Sequence, residues 1–326
     1  MENQIKKIKV FIFCFSLLLF LILFRVVYCI NNDAILLVES GDNSKTISKK
    51  LNELGAISTK SSFRYYFKIK SLFSSCKTIQ TGEYKLYKSE TFGSIYNKLC
   101  YGLSTNYTIT IPEGLMTFQV VDLINKNKHL TGDNIYFKEE GVLLPETYTF
   151  KGGISKKSLL KTMQDDFRTF INEEWKKRDK QNCPFDNIDD VIILASIVEA
   201  EAKTNEERPI IASVYINRVN KNMKLQADPT TIYEITKGKY KLDRLLTLKD
   251  IRLKGEFNTY EKYGLPKTPI CNAGKKSILA VLHPAIADYL YFVAKEDLSG
   301  HYFAKTYEEH LKNIKLVRQK RAEKSE

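Results

Sequence analysis

The chain is 326 residues long, 43% hydrophobic and 27% charged, with 51 Lys and Arg against 38 Asp and Glu for a formal charge of +13. That length and apolar content support a substantial core in two or three domains and exclude a disordered chain. No recognised nucleic-acid motif accompanies the basic balance, which points instead to Lys-rich composition, anionic lipid headgroups or an acidic polymer.

Residues 1–9 carry Lys6, Lys7 and Lys9, and an uncharged run follows from Val10 to Phe24. Counted through Arg25, the run reaches Ile30 and predicts a membrane-spanning helix over 10–30, with a cytoplasmic N-terminus and the body outside. A cleaved signal peptide competes with this reading, but no pair of small residues at the cleavage spacing follows the run. Tyr28 before Cys29 also argues against a lipoprotein site. Cys14 and Cys29 fall in this segment, and Cys76, Cys100, Cys183 and Cys271 lie beyond it without a C-x-x-C pair, which argues against zinc. One bridge such as Cys76 to Cys100, or free buried thiols throughout, both fit this spacing.

Beyond the run, Ala34 to Val38 reads as a buried strand, and Gly41-Asp42-Asn43-Ser44 as a turn and helix cap. Ile47, Leu51 and Leu54 predict a helix ending on Gly55; Ser61-Ser62 opens another through Phe63, Tyr66, Phe67 and Ile69. Thr81 to Leu86 reads as a strand, and Phe92, Ile95 and Leu99 mark a helix ending near Gly102, giving a small α+β module over 34–104. A new unit starts at Asn106 to Ile111, an alternating strand closed by Pro112-Glu113-Gly114. Thr117 to Ile124 is helical by pattern, and Gly141 to Phe150 is extended and interrupted by proline. A long helix capped by Ser155 or Ser158 runs to Lys177, and Asn205 is placed to cap a helix with Pro209 in its first turn. Arg318 to Lys324 reads as a solvated basic tail.

Between these last two helices lies the stretch from Asp189 to Ala202. Two aspartates at its start suit a helix N-terminus, and its apolar residues leave no wide polar face, so it is a buried helix. Glu199 shares a side with Ile192, Ala195 and Ala202, surroundings that raise a carboxyl pKa and keep an acid ready to protonate a leaving oxygen. Glu201 projects to the opposite side, and the helical wheel alone does not choose between them. The alternative is a core helix whose acids bond to backbone or to Arg208. Lys224 to Tyr233, Phe257 to Tyr260 and Gly264-Leu265-Pro266 combine amides, hydroxyls and aromatic faces suited to sugars, although Asp228-Pro229 alone equally reads as a helix-capping turn.

In order, Ala195-Ser196-Ile197-Val198-Glu199-Ala200-Glu201-Ala202, Glu207-Arg208-Pro209, Tyr215-Ile216-Asn217-Arg218, Leu225 to Thr230, Phe257 to Tyr260, Gly264-Leu265-Pro266, Pro269 to Asn272 and Gly300-His301-Tyr302-Phe303 resemble the endolytic murein transglycosylases of the MltG (YceG-like) family. The resemblance covers nearly the whole chain. It implies an α+β fold with a single transmembrane helix, a LysM-like module over 34–104, a mixed α/β catalytic domain over 105–317 and a basic tail over 318–326. It also implies a lyase that ends glycan elongation by cleaving the MurNAc-GlcNAc bond, leaves 1,6-anhydro ends, and uses one glutamate, placed by the resemblance on Glu199. Gln226, Asp228, Thr230, Asn258, Tyr260 and His301 are the expected glycan contacts, with His301 equally readable as a bonded structural histidine. No metal or cofactor and no nucleic acid is expected. The expected partners are peptidoglycan strands, the plasma membrane and peptidoglycan synthases. Ala227, Thr231, Thr268, Ala273 and Phe257 depart from the family's usual residues without removing a proposed acid or hydrogen-bonding group. The competing functions are a non-catalytic wall-binding scaffold and a water-using muramidase.

Overall fold

The structure is a computed structural model that describes residues 12, 13, 15, 16 and 30–324. The chain divides into two compact units: Met1–Thr108 with Lys128–Gly132 and Thr149–Ser155, and Ile109–Asn127 with Asp133–Tyr148 and Lys156–Glu326.

In the first unit, strand β1 (Ala34–Val38) pairs antiparallel with β2 (Gly82–Leu86), Ala34 opposite Leu86 and Val38 opposite Gly82. Between them run helices α1 (Ser44–Glu53) and α2 (Ser62–Leu72), and α3 (Phe92–Tyr101) follows. Asn43 opens α1 with a reciprocal cap: its side chain accepts from Lys45 and Thr46 N–H while Thr46 Oγ1 accepts from Asn43 N–H. Gly102, at φ +63°, closes α3 in the left-handed conformation that glycine adopts without a Cβ clash. Leu36, Ile47, Leu51, Phe63, Tyr84 and Leu99 are wholly buried in the core, where Phe63 meets Phe92 edge-on at 5.3 Å. Cys76 and Cys100 are disulfide-bonded, while Cys183 and Cys271 in the second unit are free and buried.

The expected fold class needs correcting at its N-terminus. Among the described residues no helix is long and apolar enough to cross a membrane, and the stretch 10–30 falls almost entirely outside them. Ile30, the expected end of the span, is instead a core residue of the first unit, 2% exposed, with its N–H on Glu90 O and its carbonyl accepting from Ser89.

Strand β3 (Asn106–Thr110) pairs with β4 (Thr147–Lys151). The second unit then holds α4 (Thr117–Lys126), α5 (Lys156–Lys177), α6 (Ile188–Glu201), α7 (Arg208–Asn220), α8 (Asp228–Thr236), the single turn α9 (Leu248–Ile251) and α10 (Lys275–Leu282). It ends with the antiparallel hairpin β5 (Tyr291–Ala294) and β6 (His301–Ala304) and with α11 (Tyr307–Glu323). Each sheet among the described residues has two strands, so helices dominate where a mixed α/β domain was expected. α6 lies at the centre against α7, α8 and α10, with Val191, Leu194, Ala195, Ile197 and Val198 fully buried. Each large side chain so buried contributes about 1.5–3 kcal/mol. The cap of α6 is Asn187, which accepts from Asp190 N–H at 2.8 Å, while Asp189 and Asp190 lie in the first turn. Glu207 rather than Asn205 occupies the N-cap of α7, with Pro209 in its first turn. Residues 318–323, expected as a tail, continue α11.

The Cys76–Cys100 bridge closes a loop of sequence separation 24. Cross-linking of that length stabilises by about 3 kcal/mol through the unfolded chain. Cys100→Ser is therefore expected to lower the unfolding free energy of the first unit by that amount in denaturant titration, and reductant should reproduce the loss in the parent protein.

Candidate active site

The last turn of α6 sends two glutamates to opposite sides. The Glu199 side chain is 6% exposed. Its Oε1 accepts from Arg208 Nη1 at 3.0 Å, and its Oε2 from Gly274 N–H at 3.0 Å and Ser277 Oγ at 2.8 Å. Arg208 also donates to Ser277 Oγ, which commits the serine hydrogen to Glu199. The same guanidinium reaches Glu113 Oε2 at 3.6 Å, and Gly274 leaves room for that carboxylate, because a Cβ there would lie 2.0 Å from Glu113 Oε1. Three donors thus converge on Glu199. The apolar setting expected for it from its own helix gives way to the alternative, an acid bonded to Arg208 and to backbone, because α7 and α10 supply the walls the wheel could not show.

Glu201, the final residue of α6, opens on a cavity of about 330 Å³ that it lines with Tyr215, Arg218, Gln226, Asp228 and Tyr260. Although the residue as a whole is half-buried, its carboxyl lies deep. Burial, then the charge of Asp228, pushes its pKa up to about 7, against the Tyr215 hydrogen bond and the charges of Lys203 and Arg218. The Tyr215 hydroxyl donates to Oε1 at 3.2 Å, and Oε2 has no hydrogen-bond partner among the described residues. Arg218 is pinned by its own bonds, Nε to Leu290 O at 2.6 Å and Nη1 to Leu225 O at 2.7 Å, so it supplies positive charge from a fixed position.

Of the six expected glycan contacts, the fold gathers three around Glu201. Asp228, exposed at the start of α8, does not cap that helix and accepts from the Tyr260 hydroxyl at 2.7 Å. Gln226 is exposed and held at φ +50°, a left-handed conformation uncommon for a residue with a Cβ, by N–H bonds from Gln226 to Thr259 O at 3.1 Å and from Ala227 to Thr259 Oγ1 at 3.0 Å. The other three are internal. Thr230 is wholly buried on Ala227 O and Thr259; Asn258, also wholly buried, accepts from Thr231 Oγ1 and donates to Ile251 O and Leu253 O. His301 is 7% exposed with Nδ1 at 3.0 Å from the Glu207 carboxylate, the structural arrangement that its setting in the sequence also allowed. Tyr215 and Arg218 were legible only as a motif, and His310, which also lines the cavity, carried no sequence signal. A second cavity of about 320 Å³ lies near the start of α6, between Glu140, Ile192 and Tyr233. Its buried carboxylate is already bonded, by Thr117 N–H and the Tyr233 hydroxyl. No group of three His, Cys, Asp or Glu side chains suited to a metal occurs among the described residues.

The profile of the YceG-like family matches residues 36–316. The chain belongs to that family. Among relatives of this YceG-like chain, an endolytic murein transglycosylase of Bacillus subtilis (strain 168) is 33% identical over 308 residues, covering 84% of this chain and 82% of that protein. An endolytic murein transglycosylase of Streptococcus pneumoniae (strain D39) is 23% identical over 324 residues, covering 85% of this chain and 57% of that protein. The crystal structure of a YceG-like protein from Listeria monocytogenes superposes with a TM-score of 0.52 at 28% identity, covering 86% of this chain and 99% of that one.

Truncating Glu199 would leave the nearly enclosed Arg208 charge with the more distant Glu113 as its one carboxylate partner among the described residues. Breaking a buried pair from one side costs about 3–5 kcal/mol. Glu199→Ala is expected to lower thermal stability by that order, with Glu199→Gln costing less because one oxygen still accepts; calorimetry on the three proteins checks the order.

Proposed function

We propose that this YceG-like chain is an endolytic murein transglycosylase that cuts the β-1,4 bond between N-acetylmuramic acid and N-acetylglucosamine within glycan strands, with Glu201 as its acid. The observation that carries the choice is the raised carboxyl of Glu201 in the cavity it shares with Asp228, Tyr260 and Gln226. Glu199 already accepts from three donors and is the weaker candidate. In this reading Glu201 gives its proton to the glycosidic oxygen as the C1–O bond breaks. The muramic C6 oxygen then bonds to C1, and its proton passes to the Glu201 carboxylate, which restores the acid. One C–O bond is exchanged for another without water, and a 1,6-anhydro end results. Asp228, a second carboxylate where only one was expected, stabilises the positive charge that develops at C1.

Action on growing strands, ending their elongation, follows from cutting within them. Wall-side localisation is supported by the nature of the substrate and by the Cys76–Cys100 bridge, which suits an oxidising compartment. The order of strand, two helices and strand in the first unit supports a LysM-like glycan contact.

Incubating the protein with uncrosslinked glycan strands and weighing the products tests the reading. Anhydro ends that fall by about 1,000-fold in Glu201→Gln and persist in Glu199→Gln support it. Reducing ends would mean a water-using muramidase, which the Asp228 carboxylate makes chemically reasonable, and intact strands a scaffold. A proton donor at about 7 loses its proton as pH rises, so activity should fall above pH 7. Because Asp228 raises that value, Asp228→Asn should move the alkaline limb to lower pH, measurable as kcat/KM against pH.

A further inference from the structure

The donors around the Glu201 cavity are largely spent within the protein. Tyr215 donates to Glu201, Tyr260 to Asp228, and Arg218 to the carbonyls of Leu290, Leu225 and Lys224. An N-acetylated sugar brings carbonyl oxygens that need donors, and two carboxylates in the cavity offer none when ionised. Apart from Gln226 and the Nη2 of Arg218, whose Nε and Nη1 are the nitrogens bonded to those carbonyls, a lining residue able to supply one is His310, on α11.

His310 Nδ1 is buried without a hydrogen-bond partner among the described residues. The ring stacks on Tyr291 at 5.3 Å and 22° and lies 6.3 Å from Tyr307. Burial and then the charge of Arg218 lower its pKa, which favours the neutral ring. A neutral imidazole has one N–H, and an orphaned buried N–H is the rarer and costlier arrangement. The hydrogen therefore belongs on Nε2, and with Nδ1 enclosed, Nε2 is the nitrogen left to meet a ligand in the cavity.

We propose that His310 is a substrate-contacting specificity residue, held as the Nε2–H tautomer to donate a hydrogen bond to the acetamido carbonyl oxygen of an N-acetyl sugar beside Glu201. This deepens the transglycosylase reading and rests on it. Its role is to fix the sugar for proton transfer by Glu201, with no proton of its own exchanged.

Long-range ¹⁵N–¹H NMR of the protein at pH 7 is expected to show Nε2 protonated and Nδ1 bare; an Nδ1–H or doubly protonated ring overturns the proposal. In a Glu201→Gln background, His310→Phe should weaken binding of uncrosslinked glycan strands about tenfold, whereas His310→Gln, which keeps an N–H donor at similar reach, should stay within about threefold. Equal binding by the Phe variant overturns the proposal. Should that variant fail to fold, the Gln variant and the tautomer of the parent protein decide. Cleavage that survives Glu201→Gln would refute the acid assignment alone, since strand binding and the tautomer are read independently. A parent protein that binds no strands refutes both.

Discussion

Burying a helix that is apolar on every side fixes how the second unit handles charge. α6 contributes Val191, Leu194, Ala195, Ile197 and Val198 to the core, and its final turn delivers two carboxylates to the edge of that core. A carboxylate in such a place must be paired, hydrogen-bonded or protonated. The two glutamates, two residues apart, meet different solutions. Glu199 is satisfied by Arg208, Gly274 and Ser277, which ties the end of α6 to the starts of α7 and α10. Glu201 is buried beside a second carboxylate with a tyrosine hydroxyl as its hydrogen-bond donor and Lys203 and Arg218 acting through charge alone, and its proton is correspondingly harder to lose.

Two arginines on α7 sustain this division. Arg208, at the first position of the helix, spends its guanidinium on carboxylates and a serine; Arg218, near the last, spends its own on backbone carbonyls. Only the first neutralises a glutamate directly. Arg218 acts on Glu201 through its charge alone, and its carbonyl bonds hold the segments around Leu225 and Leu290 that frame the cavity.

The polar residues that touch nothing in the cavity are what place those that do. Thr230, Thr259, Asn258 and Thr231 form a buried network that fastens the loop before α8 to the loop at Phe257 to Tyr260. Fully satisfied networks of this kind are rigid. Gln226 can consequently be held in a left-handed conformation, and Asp228 can meet Tyr260 across two loops. Sequence motifs list the anchors and the contacts side by side because both kinds are needed at fixed spacing.

Local patterns in the sequence determined where most helices and strands lie, since apolar periodicity and caps such as Asn43 and Gly102 act within a few residues. They also marked the buried helix with its two glutamates, and the ordered motifs pointed to the family. They carried the N-terminal run on to Ile30, because the pattern cannot show that this residue belongs to a globular core. They left open whether Cys76 and Cys100 bond, and they could not say which glutamate is paired, which of Asp228, Thr230 and Asn258 face a cavity, or that His310 joins them. Those outcomes depend on partners far along the chain, such as Gly274 and Ser277 for Glu199 and Asp228 for Glu201, and a carboxyl's charge is set by whatever surrounds it in space. Tertiary packing alone brings those surroundings together.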